Sequence, residues 1–129
     1  MSRWVYLSVA VLLGGSLPGA AAPPADGYEA RIRPVLVEHC YKCHSAEHKT
    51  EKGGLRLDTR EGMLKGGESG PAIVPGKPGD SLLIRAIRQT GDGPKMPPKG
   101  KLPPAVVADF EAWIAAGAPT ADSAAAGPI

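Results

Sequence analysis

The chain has little aromatic mass: one Phe, two Trp and three Tyr among 129 residues. It has only two cysteines, Cys40 and Cys43. No stretch shows the strict alternation of a half-buried strand, and no internal repeat is visible. No uninterrupted apolar run reaches the roughly 20 residues that a membrane-spanning helix needs. The charges nearly cancel, leaving a formal +2, so a broad nucleic-acid footprint is excluded.

What is present begins with a three-part leader. Arg3 is a short positive segment, Trp4 to Gly15 is apolar, and Ala20 to Ala22 offer small residues. That is the pattern of a secretory signal peptide over residues 1–22. Its alternative is a short anchor that stays uncut. The expectation is an exported, periplasmic chain starting at Pro23, with no stable membrane insertion after cleavage. One domain is expected over 23–118, followed by a disordered tail at 119–129.

Turn residues abound: 27 of the 107 residues after Ala22 are Gly or Pro. That share approaches the roughly 25–30% at which disorder becomes plausible. With so few bulky side chains, a large apolar cofactor is a natural candidate for the missing core.

Four helical segments can still be read. In "DGYEARIRPVLVEH", Asp26 and Glu29 have capping-box spacing, and Ile32, Val35 and Leu36 form an apolar stripe. Pro34 predicts a kink there or a fresh helix start. In "LDTREGMLKGG", Asp58 is the expected cap and Gly66 the stop. In "PGDSLLIRAIRQTG", Asp80 is the expected cap, Leu83, Ile84 and Ile87 the buried face, and Gly91 the residue after the end. The last, "PPAVVADFEAWIAAGAP", has Pro104 at its start and Gly117 past its end. Val106, Val107, Phe110, Trp113 and Ile114 share one face. Long turn-rich loops, 66–79 and 90–104, separate the later helices. The fold class is all-α, about four short helices with long ordered loops.

The cysteines lie together in "CYKCH", residues 40–44. Three chemistries use such spacing. A thiol–disulfide pair sits at a helix N-terminus after a strand, where the dipole lowers a thiol pKa; here the pair follows a helix. Zinc takes two pairs of ligands, and no second cluster exists, although His39 and His48 lie nearby. Covalent haem needs two cysteines three apart, each bonding a vinyl group, with the next residue, His44, facing the iron. This last reading uses both thiols and the histidine, and it calls for one covalently attached haem c.

Haem iron has a second axial position. Beyond the leader only Met63 and Met96 offer a thioether. Met63 sits in a short helix and reads as a packed hydrophobe. Met96, in "GPKMPPKGK", precedes two prolines and has no helical face to serve, so it is the candidate distal ligand. It lies 52 residues after His44, enough chain to wrap a haem.

This constellation resembles a class I c-type cytochrome. More narrowly, "CYKCH", "KGGLRLDTREGMLKGG", "IVPGKPGDSLLIRAI", "KMPP" and "WIAAGAP" resemble the planctomycete-type cytochrome c domain. The likeness spans about Arg33 to Pro119. It implies the cytochrome c fold wrapped around one covalent haem. It also implies thioethers at Cys40 and Cys43, His44 as proximal ligand and Met96 as distal ligand. The implied activity is electron transfer rather than catalysis. Such domains are commonly fused to larger ones, whereas this sequence stops just after the resemblance. A free carrier is therefore expected, or a subunit serving a separately encoded dehydrogenase or oxidase. The rival readings are a haem enzyme with an open sixth site, and a sensor or structural subunit of a larger complex.

Finer assignments follow. Leu55, Ile73, Val74, Leu82 and Leu83 are candidates for the haem pocket. Phe110 and Trp113 are expected where the first and last helices cross. Arg56, Arg60 and Arg85 are candidates for the haem propionates. Lys95, Lys99 and Lys101 flank Met96 and can steer an acidic partner.

Overall fold

The computed structural model describes residues 14–15 and 27–121. The rest of the expected leader, the Asp26 cap and the tail beyond Ala121 lie outside the described residues. Four α-helices and one small antiparallel strand pair make up the described fold. They are α1 (Arg33–His39), β1 (His44–Ser45), β2 (Thr50–Glu51), α2 (Arg60–Lys65), α3 (Leu82–Arg88) and α4 (Pro104–Ala115). The strand pair corrects a purely helical expectation: His44 faces Glu51 and Ser45 faces Thr50. Two residues per strand are too few to show alternation in sequence.

A π-helical turn, Tyr28–Ile32, leads into α1. Pro34 explains it. Proline has no N–H to donate, and its ring clashes with the carbonyl one turn back. The chain widens by one residue instead, and the Arg33 N–H reaches the Tyr28 carbonyl. Pro34 then sits in the first turn of α1, where a missing donor costs nothing.

Neither expected cap acts as one. Thr59, not Asp58, caps α2, its hydroxyl accepting from the Gly62 N–H at 3.0 Å. The Asp58 carboxylate is engaged by Arg56 and by the Ala46 N–H. At α3, Asp80 belongs to a 3-10 turn, Pro78–Asp80, and makes no cap. The buried Ser81 hydroxyl pins the preceding loop instead. It donates to the Lys77 carbonyl and accepts from the Val74 N–H, both at 2.9 Å.

α2 stops at Gly66, whose φ of 70° favours glycine. A side chain there would also run into the Gly70 carbonyl. The long loops are tied to the helices through their backbones. Ala72 N–H donates to the Met63 carbonyl, Gly76 N–H to the Ile114 carbonyl and Met96 N–H to the Ala86 carbonyl.

The core joins all of this. Phe110, Ile32, Leu36, Met63, Ile73, Ile84, Ile87 and Ile114 are fully buried. α4 buries Val107, Phe110, Trp113 and Ile114, as its pattern predicts. It packs on the π-turn and on α3. Trp113 lies against Tyr28 at 5.5 Å between ring centroids and meets Phe110 edge-on at 6.4 Å. The two aromatics of α4 therefore stand at the crossing with the first helical segment. The Trp113 indole donates to the Pro119 carbonyl, and Thr120 is buried, so packing continues to residue 120.

Candidate functional site

Beyond α1 the chain reverses within five residues. Cys40 and Tyr41 N–H both bond to the Leu36 carbonyl, and Cys43 and His44 N–H both bond to the Cys40 carbonyl. The turn is fixed on both flanks. The Lys52 N–H donates to the Cys43 carbonyl, the Leu57 N–H to the His44 carbonyl, and the Ser45 hydroxyl to the Tyr41 carbonyl at 2.7 Å. Tyr41 turns into the core and is hydrogen-bonded to Tyr28. Cys40, Cys43 and His44 are left on one wall of a cavity of about 560 Å³. That volume falls within the roughly 300–1,000 Å³ typical of ligand and cofactor sites.

Met96 lies on the wall of the same cavity, carried there by the loop after α3. Met63 does not: it is fully buried in the core, the packed hydrophobe its helix suggests. Of the expected pocket residues, Leu55, Leu82 and Leu83 line the cavity. Ile73 and Val74 do not, because Ile73 packs into the core and Val74 is held by Ser81. Leu57, Ala72, Ala86 and Ile87 complete the apolar wall. Leu57 had a weak signal in "LRLD", where Leu55 and Leu57 alternate with the charged pair Arg56 and Asp58.

His44 is nearly buried, and its Nδ1 lies 3.3 Å from the Leu55 carbonyl oxygen. A carbonyl only accepts, so Nδ1 carries a proton, and in the neutral ring Nε2 then holds the lone pair. That leaves one ring nitrogen free to ligate a metal, with the other fixing the ring. No sequence signal links residues eleven apart in this way.

The thiols are not poised for disulfide exchange. Both are free and half-buried. Burial, with Cys43 beside it, pushes the Cys40 thiol up to about 11, the opposite of an activated redox cysteine. Among the described residues, no three His, Cys, Asp or Glu side chains gather as a metal site. A zinc ion would find too few ligands here. A haem brings its own ring of nitrogens and needs from the protein only what this wall offers: two thiols, an imidazole, a thioether and apolar surface. The residues fit that group.

The three candidate arginines separate. Arg56 is committed to Asp58 at 3.1 Å and Glu51 at 3.7 Å. Arg60 donates to the Gly117 and Ala118 carbonyls. Arg85 lines the cavity, with one long bond to the Gly79 carbonyl. Lys95, Lys99 and Lys101 are exposed. The cavity wall itself carries both signs, Lys52 and Arg85 against Glu68 and Asp92. His39 is exposed and borders the cavity, while His48 is exposed and away from it.

Residues 40–100 match the family model described as planctomycete cytochrome C. The chain carries a planctomycete-type cytochrome c domain. The matched stretch of this cytochrome c domain opens at Cys40 and closes just after the Met96 loop. It therefore contains all four candidate ligating residues. The family points to a haem-binding, electron-carrying module. No curated protein and no solved structure matches the chain. No described helix is long and apolar enough to cross a membrane.

Proposed function

We propose that the protein is an exported mono-haem c-type cytochrome that carries electrons between partner proteins. One observation carries the reading: CYKCH and Met96, far apart in the chain, share a single apolar cavity. Haem supplies a one-electron couple when bound. Cys40 and Cys43 hold it through thioether bonds. His44 would hold the iron through Nε2, and its Nδ1–H bond to Leu55 keeps the ring from turning. Met96 would offer its thioether to the same iron.

The chain's own contribution is then electrostatic and steric. A thioether ligand raises the reduction potential. The walls formed by Leu55, Leu57, Leu83 and Ile87 act in the same direction, because low-polarity surroundings disfavour the more highly charged oxidised state. With His44 and Met96 both engaged, the chain would need little rearrangement between the two redox states. Arg85 and Lys52, the cations on the wall, are the partners for the propionates. Partners are redox proteins, such as a separately encoded dehydrogenase or oxidase.

The test is a pyridine haemochrome spectrum after acid–acetone extraction. Colour retained by the protein, with the spectrum of a two-thioether haem, is expected. Colour lost to the solvent would end the covalent-haem reading. Carbon monoxide added to the reduced protein tests the sixth ligand separately: slow binding is expected with Met96 in place, and rapid binding contradicts it.

A further inference from the structure

The loop that presents Met96 is held from behind by one side chain. α3 ends at Gln89, which adopts the left-handed conformation with φ 55° and ψ 38°. That conformation is strained for a residue other than glycine, asparagine or aspartate. Gly91, two positions on, also has a positive φ, of 78°, but the helix already ends at Gln89. Strain of this kind persists where the surroundings over-determine it. Here the gain is visible. The Gln89 side-chain amide donates to the Met96 and Pro97 carbonyls, each at 3.3 Å. Next to it, the Met96 N–H donates to the Ala86 carbonyl at 3.0 Å. Both backbone polar groups of Met96 are thus bonded to α3 or its last residue. Gln89 is half-buried. It does not line the ligand space, so its effect on the site passes through Met96.

We infer that Gln89 is a positioning residue, which locks the Met96 loop against α3 and so keeps the thioether at the iron. The inference rests on the reading of Met96 as distal ligand. Without the amide the loop leaves more readily, and Met96 gives way to hydroxide or an added ligand. A net hydrogen bond is worth about a fivefold change in an equilibrium, and here one amide serves two acceptors, so roughly a tenfold effect is expected.

The experiment uses the full haem-loaded protein with Gln89→Gly and Gln89→Leu. Gly removes the amide but suits the backbone, so it isolates the side chain and guards against misfolding. Three signals are read: the methionine–iron charge-transfer absorbance of the ferric form against pH, carbon monoxide association in the ferrous form, and hydrogen exchange of the Met96 amide. In Gln89→Gly, loss of the charge-transfer band should begin about one pH unit lower. Carbon monoxide association and Met96 exchange should each rise roughly tenfold. Gln89→Leu should change all three at least as much. A Gln89→Gly protein with unchanged Met96 exchange and an unchanged pH midpoint overturns the assignment to Gln89 alone. A wild-type protein with no thioether–iron band overturns Met96 ligation, and the role of Gln89 with it.

Discussion

Replacing both cysteines, Cys40→Ala with Cys43→Ala, removes the covalent hold on haem and leaves the cavity to be filled by water or by collapse. The cavity is about 560 Å³. At about 24 cal/mol per Å³, the coefficient for an enclosed cavity, that space would cost at most about 13 kcal/mol, and less here because the cavity opens to solvent. A domain of this size has only about 5–15 kcal/mol of stability in all. Collapse cannot recover much, because the wall is built from short helices and from loops tied by single backbone bonds. The double variant is therefore expected to lose most of its helical circular dichroism and its cooperative urea transition. It should also become sensitive to brief proteolysis. The wild-type, haem-loaded protein is the reference. A haem-free double variant with native-like ellipticity and a sharp melt would refute the reasoning, because the core would then be sufficient without a cofactor.

Three further outcomes are expected of the haem-loaded protein. Phe110→Ala removes a fully buried ring that meets Trp113 edge-on, and it should cost about 3–5 kcal/mol in urea unfolding. Gly66→Ala forces a side chain onto φ 70° and into the Gly70 carbonyl; a loss of about 2–4 kcal/mol in the same assay is expected, larger than an exposed glycine gives. Burial alone would raise the Asp58 carboxyl, but the Arg56 guanidinium and the Ala46 N–H outweigh it and hold it below the usual carboxylate range. A depressed carboxylate stabilises the fold above its unfolded pKa of about 3.9 and loses that contribution as pH falls through the folded value. Asp58→Asn should therefore cost about 1 kcal/mol near neutral pH, allowing for the partly exposed arginine, and the gap to wild type should close below about pH 4.

Much of the helical layout was legible because its signals are local. The apolar face of α4 is written in five residues at helical spacing, and Pro104 and Gly117 bound it. Pro34 announced a disturbance that takes the form of a π-turn. What could not be read depends on competition between neighbours in space. Asp58 has the right spacing to cap α2, but Arg56 and Ala46 take its carboxylate and Thr59 takes the role. Asp80 is taken up in a 3-10 turn, and α3 begins without a side-chain cap. At the site, CYKCH and Met96 were visible from residue type and spacing. The contact that orients His44 was not, because Leu55 contributes a backbone carbonyl and any residue has one. Gln89 was hidden for a similar reason: propensity points to Gly91, which does have a positive φ, and the groups that hold the Gln89 amide are the backbone carbonyls of Met96 and Pro97.

The most direct measurement is intact and peptide-level mass spectrometry of the protein produced with a haem-attachment system. The peptide holding Cys40, Cys43 and His44 should carry the mass of one haem, and neither thiol should react with an alkylating agent under denaturing conditions. A peptide of unmodified mass, with both thiols alkylated, would contradict the account.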